Sequence, residues 1–124
     1  MPLISAMDAP QFTIPGVTFT GLASPSRGSS QTAVWTVSLA PGTMGDTHQL
    51  TDEEIFICLE GSADVQLGVE TLTIAPGDTL IVPAHTDFAL RNRLDIPFKA
   101  IAVFPVGGKA VLPGKPAFTP PWAA

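Results

Sequence analysis

Residues 48–61 read HQLTDEEIFICLEG and place a histidine and a glutamate directly ahead of an apolar strand. Alternation along residues 54–60 puts Glu54, Phe56 and Cys58 on one face and three aliphatic side chains on the other. Both faces of this strand are therefore expected to be buried. A strand interior disfavours a charged group unless the charge is paired or coordinates something. Glu54 and His48 are thus the first candidates for a functional site.

Segments on both sides of this stretch also alternate with period two and are short, and no window shows a helical stripe. Thirteen prolines and eleven glycines separate them. The expected strands are residues 12–14, 17–22, 33–39, 54–60, 63–67, 71–74, 79–82, 88–92 and 98–104. Many short strands joined by Gly and Pro turns predict an all-β fold, an antiparallel double-sheet β-barrel of the jelly-roll type.

The chain of 124 residues is long enough for one domain with a single core. We expect N-terminal strands and a loop in residues 1–32, the barrel core in residues 33–104, and a proline-rich tail in residues 105–124. The tail ends in an apolar run that includes Phe118 and Trp122, so we expect it to dock on the barrel.

Composition argues against several classes of partner. The net charge is −5, and the six Lys and Arg residues are scattered, so we expect no nucleic-acid binding. We recognise no signal peptide and no stretch long enough to span a membrane, which predicts a cytoplasmic protein without membrane contact. Cys58 has no second cysteine to pair with, and we interpret it as a small buried hydrophobe.

The apolar second face of the strand at residues 54–60 needs a cover. A second sheet or a second subunit would provide it, and a symmetric pair of identical faces is the simplest arrangement for a small β domain. We therefore predict a homodimer.

Two segments resemble the paired motifs of the cupin superfamily. Gly42, His48, Glu54 and Gly61 have the spacing of the first motif, and Leu50 stands where that motif has a second histidine. The resemblance implies the cupin fold and identifies the chain as a small single-domain cupin.

The second motif is matched less completely. Gly77, Pro83 and Asn92 have its spacing, but His85 takes the place of its inner glycine and Phe88 takes the place of its histidine. The metal-binding motif is therefore interpreted as degenerate.

In metal-binding cupins, three histidines and one glutamate hold Fe, Mn, Ni or Zn inside the barrel. By resemblance His48 and Glu54 are two of these ligands, whereas Leu50 and Phe88 offer no lone pair. Catalytic transition-metal sites commonly use three protein ligands and an open position. The resemblance therefore implies either no metal or a weakly bound divalent ion.

His85 provides an alternative, because a turn that swung its ring inward would complete a set of two histidines and one carboxylate with His48 and Glu54. Such a set would suit a metal-dependent dioxygenase or isomerase. Against it, residue 85 lies three positions before Phe88, so simple alternation puts their side chains on opposite faces.

We interpret the chain first as a small-molecule-binding cupin with an apolar pocket containing His48 and Glu54. If it is an enzyme, which the sequence leaves open, Glu54 or His48 is its general acid or base, since burial would raise the carboxyl pKa. A second alternative is a non-catalytic ligand-sensing or storage barrel. The remaining residues expected to border the pocket are Leu50, Phe56, Phe88, His85 and Asn92, with Cys58 at the margin.

Structural roles compete with these functional ones. His48 can be a loop histidine bonded to Glu54 or Asp46, and His85 can be a solvated turn residue. Asn92 can bind a ligand or tie down a turn, and the resemblance favours the second role.

Overall fold

The computed structural model describes residues 3–124, and this range contains eleven β-strands and three short 3₁₀ turns. The strands are β1 (Gln11–Ile14), β2 (Val17–Ala23), β3 (Thr32–Leu39), β4 (Gln49–Leu50), β5 (Glu54–Glu60), β6 (Ala63–Leu67), β7 (Glu70–Ile74), β8 (Thr79–Val82), β9 (Phe88–Arg91), β10 (Phe98–Pro105) and β11 (Ala110–Val111). The 3₁₀ turns are Ala6–Asp8, Pro25–Arg27 and Pro121–Ala123. Within the described range, no helix is long and apolar enough to cross a membrane. The all-β prediction is confirmed.

The strands form two antiparallel layers. The larger sheet has the order β1-β2-β3-β10-β5-β8, and the smaller one has the order β7-β6-β9. The short pair β4 and β11 extends the smaller sheet, because His48, just ahead of β4, forms an antiparallel bridge with Phe88 in β9. The first motif therefore places His48 at the smaller sheet and Glu54 on the larger sheet.

Alternation along the strands builds the core. Strand β3 buries every second residue, beginning at Ala33, and β10 buries Phe98, Ala100, Ala102 and Phe104. Ala102 lies between Trp35 on β3 and Phe56 on β5 in the strand register. A small residue between two large ones lets the aromatic side chains fill the space without overpacking.

The C-terminal segment lies against the larger sheet. Trp122 stacks on Phe19 with ring centroids 3.5 Å apart and an interplanar angle of 2°, and it meets Trp35 edge to face at 6.4 Å. Farther upstream, Phe118 and Ala110 exchange two backbone hydrogen bonds of 2.9 and 3.0 Å. Aromatic contact and backbone pairing together hold this segment on the barrel.

The outer face of β5 is covered only in part by the chain itself. Ile55 and Ile57 are half-buried, and Leu59 is 41% exposed. Burial of both faces, as expected from the sequence, is therefore not reached within a single chain. The inner face follows the expectation, because Glu54, Phe56 and Cys58 are all buried.

Candidate ligand-binding site

Glu54 is the first residue of β5, and its side chain is buried inside the barrel with 3% exposure. Val82 on β8 lies directly opposite it, and Phe56 follows on the same face. No hydrogen bond to the Glu54 carboxyl is found among residues 3–124. Burial without a partner disfavours the ionised form, which raises the pKa of Glu54 from 4.5 to about 8. At neutral pH the barrel therefore holds a protonated carboxyl group.

His48 lies beside the smaller sheet, is half-buried and packs its ring against Phe88. Its Nδ1 lies 2.9 Å from the backbone oxygen of Asp46. Because a carbonyl oxygen can only accept, Nδ1 carries the proton and Nε2 is left with a free lone pair. Burial lowers the pKa of His48, and the neighbouring Asp46 opposes this shift only in part. The imidazole is thus held neutral by its surroundings and oriented by Asp46, not by Glu54.

Two aromatic rings connect the two layers between these groups. The His48 ring stands 4.3 Å from the ring of Phe88, which in turn lies 5.9 Å from the ring of Phe56. Phe56 and Phe88 are almost completely buried, as is Leu50. The space around Glu54 and His48 is consequently lined by hydrocarbon.

Asn92 has a side chain that is completely buried and engaged by backbone groups. Its Nδ2 donates to the carbonyl oxygens of Ile96 and Leu39 at 2.8 and 3.1 Å, and its Oδ1 accepts from Leu94 N at 3.1 Å. These bonds leave the amide no free hydrogen. The structure therefore places Asn92 as the anchor of the turn after β9 and does not place it as a ligand contact.

His85 lies in the turn between β8 and β9 and is exposed. Its φ angle is +60°, the left-handed region that favours glycine, and its backbone N–H donates to the Leu50 carbonyl at 2.8 Å. The backbone thus keeps the glycine conformation that the second motif implies at this position. His85 has the placement of a solvated turn residue.

A metal ion would find few donors in this barrel. Among the residues that the structure describes, no group of three or more His, Cys, Asp or Glu side chains is placed to hold a metal. The set of His48, Glu54 and His85 is therefore not assembled. Two donors surrounded by Leu50 and Phe88 do not fit a transition-metal site, which needs at least three.

Cys58 lies beyond Phe56 on the inner face of β5. Its thiol points to the backbone oxygens of Gly61 and Glu60 at 3.5 and 3.7 Å, and burial raises its pKa. A buried protonated thiol of this kind packs as a small hydrophobe.

The sequence offered Asp46 as one of two possible partners of His48, and the contact is made by the Asp46 backbone oxygen. Sequence reasoning missed two residues that shape the site. Val82 and Leu80 cover Glu54 and Phe56 from the neighbouring strand. The apolar run in β8 was visible, but its register against β5 was not.

Two open surface cavities lie away from Glu54 and His48. One, of about 270 Å³, opens between β7 and β8 and reaches Leu80. The other, of about 340 Å³, lies at the end of the β1–β2 hairpin near Ile14.

The sequence and the fold both match known proteins. A family model described as the cupin domain matches residues 35–104, which is more than half of the chain. No curated protein sequence matches the chain significantly.

Solved structures share the fold. The polyketide cyclase RemF from Streptomyces resistomycificus has a TM-score of 0.75 at 18% identity, and the match covers 85% of this chain and 79% of RemF. A cupin superfamily protein from Desulfitobacterium hafniense has a TM-score of 0.62 at 22% identity, with 72% and 76% covered.

The DMSP lyase DddQ from Ruegeria pomeroyi has a TM-score of 0.63 at 28% identity, and the match covers 68% of this chain but only 44% of DddQ. The family match and the shared two-layer barrel lead to one conclusion: the chain is a member of the cupin family.

Proposed function

We propose that this cupin binds a small, neutral and largely apolar molecule inside the barrel, with Glu54 as a hydrogen-bond donor and His48 as an acceptor. The observation that carries the proposal is the buried Glu54 carboxyl, which has no hydrogen-bond partner among residues 3–124 and has a pKa of about 8. A buried polar group without a partner is costly, so an uncompensated carboxyl is typical of a functional site.

The chemistry of the pocket limits the ligand. A protonated carboxyl can donate to a carbonyl or ether oxygen, and the free Nε2 of His48 can accept from a hydroxyl. Phe56 and Phe88 favour an apolar body, and their hydrocarbon surroundings make burial of a charged ligand costly. A neutral ketone or enol with an apolar skeleton satisfies all three requirements.

Turnover at this site would be proton transfer. Glu54 would give its proton to a ligand carbonyl oxygen while Nε2 of His48 takes a proton from the neighbouring α-carbon, which yields the enol. Return of both protons regenerates the ketone with its α-hydrogen exchanged, and in a β,γ-unsaturated ketone return of the carbon-bound proton to the γ-carbon gives the conjugated isomer. No metal is used in either step. The raised pKa of Glu54 suits this role, because an effective general acid has a pKa near the working pH.

A binding experiment tests the proposal. Small neutral ketones, beginning with acetophenone, are titrated by NMR into the wild type at pH 6.5 and 9.5. We expect affinity to fall at the higher pH, because the ionised carboxyl no longer donates. Glu54→Gln should bind with an affinity that does not change with pH. Glu53→Gln, a matched control at the exposed neighbouring residue, should keep the wild-type fall.

A wild-type affinity that is the same at both pH values, or no binding by any ketone, contradicts the proposal. Exchange of the ketone's α-hydrogens in D₂O then separates an enzyme from a sensing or storage barrel. Exchange that disappears in Glu54→Gln indicates catalysis, whereas saturable binding without exchange or product indicates a non-catalytic barrel.

We also propose that the protein is a homodimer that buries the outer face of the larger sheet. Ile55 on β5 lies beside Ile81 on β8 and Val103 on β10, and Ile57 lies beside Ile101. Ile81 is 53% exposed, and the other four are half-buried. A contiguous aliphatic surface of this kind is typical of an interface.

Sedimentation equilibrium tests the dimer. We expect a mass twice the 12.9 kDa of the chain for the wild type and for Thr71→Lys on the other sheet, and the mass of a monomer for Ile57→Lys. A wild type that remains a monomer at its solubility limit would rule the dimer out.

The buried, unpaired thiol of Cys58 suits the reducing cytoplasm, which we propose as the location.

A further inference from the structure

The two sheets leave a lateral gap on each side of the barrel, where their edge strands do not pair with each other. On the side of β1 and β11 the C-terminal segment fills the gap. Phe118 pairs with Ala110 at β11, and four residues later Trp122 stacks on Phe19 of β2. This side is closed by backbone hydrogen bonds and aromatic packing.

The opposite gap lies between the edge strands β7 and β8, which are joined only by the turn at residues 75–78. A cavity of about 270 Å³ opens there. Its inner residues are Val65, Ile74 and Leu80, and its rim includes Leu72 and Asp78. Because β7 and β8 are not neighbours in either sheet, small changes in their separation break no ladder hydrogen bond.

The cavity reaches Leu80, and Leu80 lies one cross-strand pair along β5 and β8 from Glu54. Leu80 lies directly opposite Phe56, and the next pair on the same face is Val82 with Glu54. Successive residues on one face of a strand are about 7 Å apart. Among the inner residues of β5 and β8, Leu80 is the most exposed at 8%, whereas Val82 is at 0% and Glu54 at 3%. On the side of the barrel formed by β5 and β8, Leu80 is therefore the inner residue nearest to solvent.

The residues that line the cavity favour the same class of molecule as the proposed binding site at Glu54. The inner residues are aliphatic, so an apolar body gains by entering. The Asp78 carboxylate stands at the rim and accepts a hydrogen bond from Ala75 N at 3.0 Å, and its charge repels anions. The lining of the cavity therefore favours a neutral apolar molecule over an anion.

We propose that the cavity between β7 and β8 is the entrance through which a small neutral apolar ligand reaches Glu54, with the Leu80 side chain as its gate. This inference rests on the proposed function. It concerns the route of the ligand, whereas the pH-dependent affinity concerns the groups that hold it, so the two can fail separately.

Methyl NMR with acetophenone as the probe tests the entrance. Leu72→Trp enlarges a rim residue that is already 39% exposed, and Leu72→Phe is a milder second variant if the first folds poorly. Thr71→Trp is the matched control, because Thr71 is the neighbouring exposed residue and does not line the cavity. Methyls of Val65, Ile74 and Leu80 report on the cavity, and methyls of Val82 report on the interior.

We expect acetophenone to shift both sets of methyls in the wild type and in Thr71→Trp. In Leu72→Trp the association and dissociation rate constants should both fall by about tenfold or more with an unchanged dissociation constant, because an entrance affects both directions equally. Unchanged rates in both Leu72 variants, or cavity methyls that do not shift at saturation, would overturn the entrance. A slowed Leu72→Trp with affinity independent of pH would instead overturn the role of Glu54 and keep the entrance.

Discussion

His48 and Phe88 face each other across the smaller sheet, exchange two backbone hydrogen bonds of 3.0 and 2.9 Å, and hold their rings 4.3 Å apart. Residues paired in this way point to the same side of the sheet. Phe88 therefore fills the place beside His48 that a second donor would need. The pairing explains why the barrel keeps a histidine and a glutamate but lacks the donor set of a metal site.

Restoring donors at two positions should create metal binding. Leu50 and Phe88 occupy the two motif positions without lone pairs, so we expect Leu50→His/Phe88→His to bind Zn²⁺ or Co²⁺ with near one-to-one stoichiometry, together with His48 and Glu54. Calorimetry and the visible spectrum of the Co²⁺ form are the measurements. The wild type should bind either ion at least about a hundredfold more weakly, because even the loss of an outer-shell partner typically costs about tenfold or more and the wild type lacks two ligands.

Two controls accompany this variant. Adding His48→Ala to the double variant should weaken the metal affinity, whereas His85→Ala should not change it. Equal affinity of wild type and double variant, or a loss caused by His85→Ala, would mean that the interior donors are assigned incorrectly.

The raised pKa of Glu54 should make the protein less stable as pH rises. The native state keeps this proton up to about pH 8, whereas the unfolded chain loses it near 4.5, so the native state binds more protons between these values. The free energy of unfolding should fall by about 3–5 kcal/mol across this window, at about 1.4 kcal/mol per pH unit. Urea denaturation at pH 4.5 and 9 measures the change.

Glu54→Gln isolates this effect, because it removes the ionisation and keeps the shape. The variant should match the wild type near pH 4.5 and exceed its stability at pH 9, whereas Glu53→Gln should follow the wild type throughout. The lowered pKa of His48 acts below pH 6.5 in the opposite sense and cancels in this comparison. A variant no more stable than wild type at pH 9 would show that Glu54 is not buried as a neutral acid.

Asn92 should be important for stability and not for ligand affinity. Asn92→Asp replaces an amide donor with an acceptor that faces the carbonyls of Leu39 and Ile96, and we expect it to lower the free energy of unfolding by about 2–4 kcal/mol. The affinity of the folded fraction for ketones should stay the same. A loss of ligand affinity without a loss of stability would indicate that Asn92 contacts the ligand.

His85 should be better replaced by glycine than by alanine. At φ +60° a side chain costs about 1 kcal/mol, so we expect His85→Gly to raise the free energy of unfolding by about 0.5–1 kcal/mol. His85→Ala keeps a Cβ in the same conformation and should give no gain. Thermal denaturation midpoints of His85→Gly and His85→Ala are compared under the same conditions. Equal midpoints would count against backbone strain at this turn.

Much of the fold follows from the sequence because alternation is a local property. Residues 33–39 and 54–60 show the period of a strand with one buried face, and the turns between strands carry glycine or proline. The buried position of Glu54 and the direction of its pKa were predictable for the same reason. Strands β4 and β11 were not predicted, since two residues are too short to show any period.

The parts of the site that escaped prediction depend on long-range pairing. The bridge between His48 and Phe88 joins residues far apart in sequence, and the contact of Leu80 with Phe56 depends on the register of β8 against β5. Residue spacing could not show which side of the barrel stays open. The cavity between β7 and β8 results from the order of strands in two sheets.

NMR titration of the Glu54 side-chain carboxyl carbon measures the protonation state on which ligand binding is proposed to depend. The chain has four glutamates, and the Glu54 signal is assigned by its absence from Glu54→Gln. We expect this carbon to report a pKa of about 8, with the carboxyl group protonated at pH 6.5. A midpoint below pH 5 would show an ionised carboxylate in the barrel and would contradict the neutral donor on which the proposed function depends.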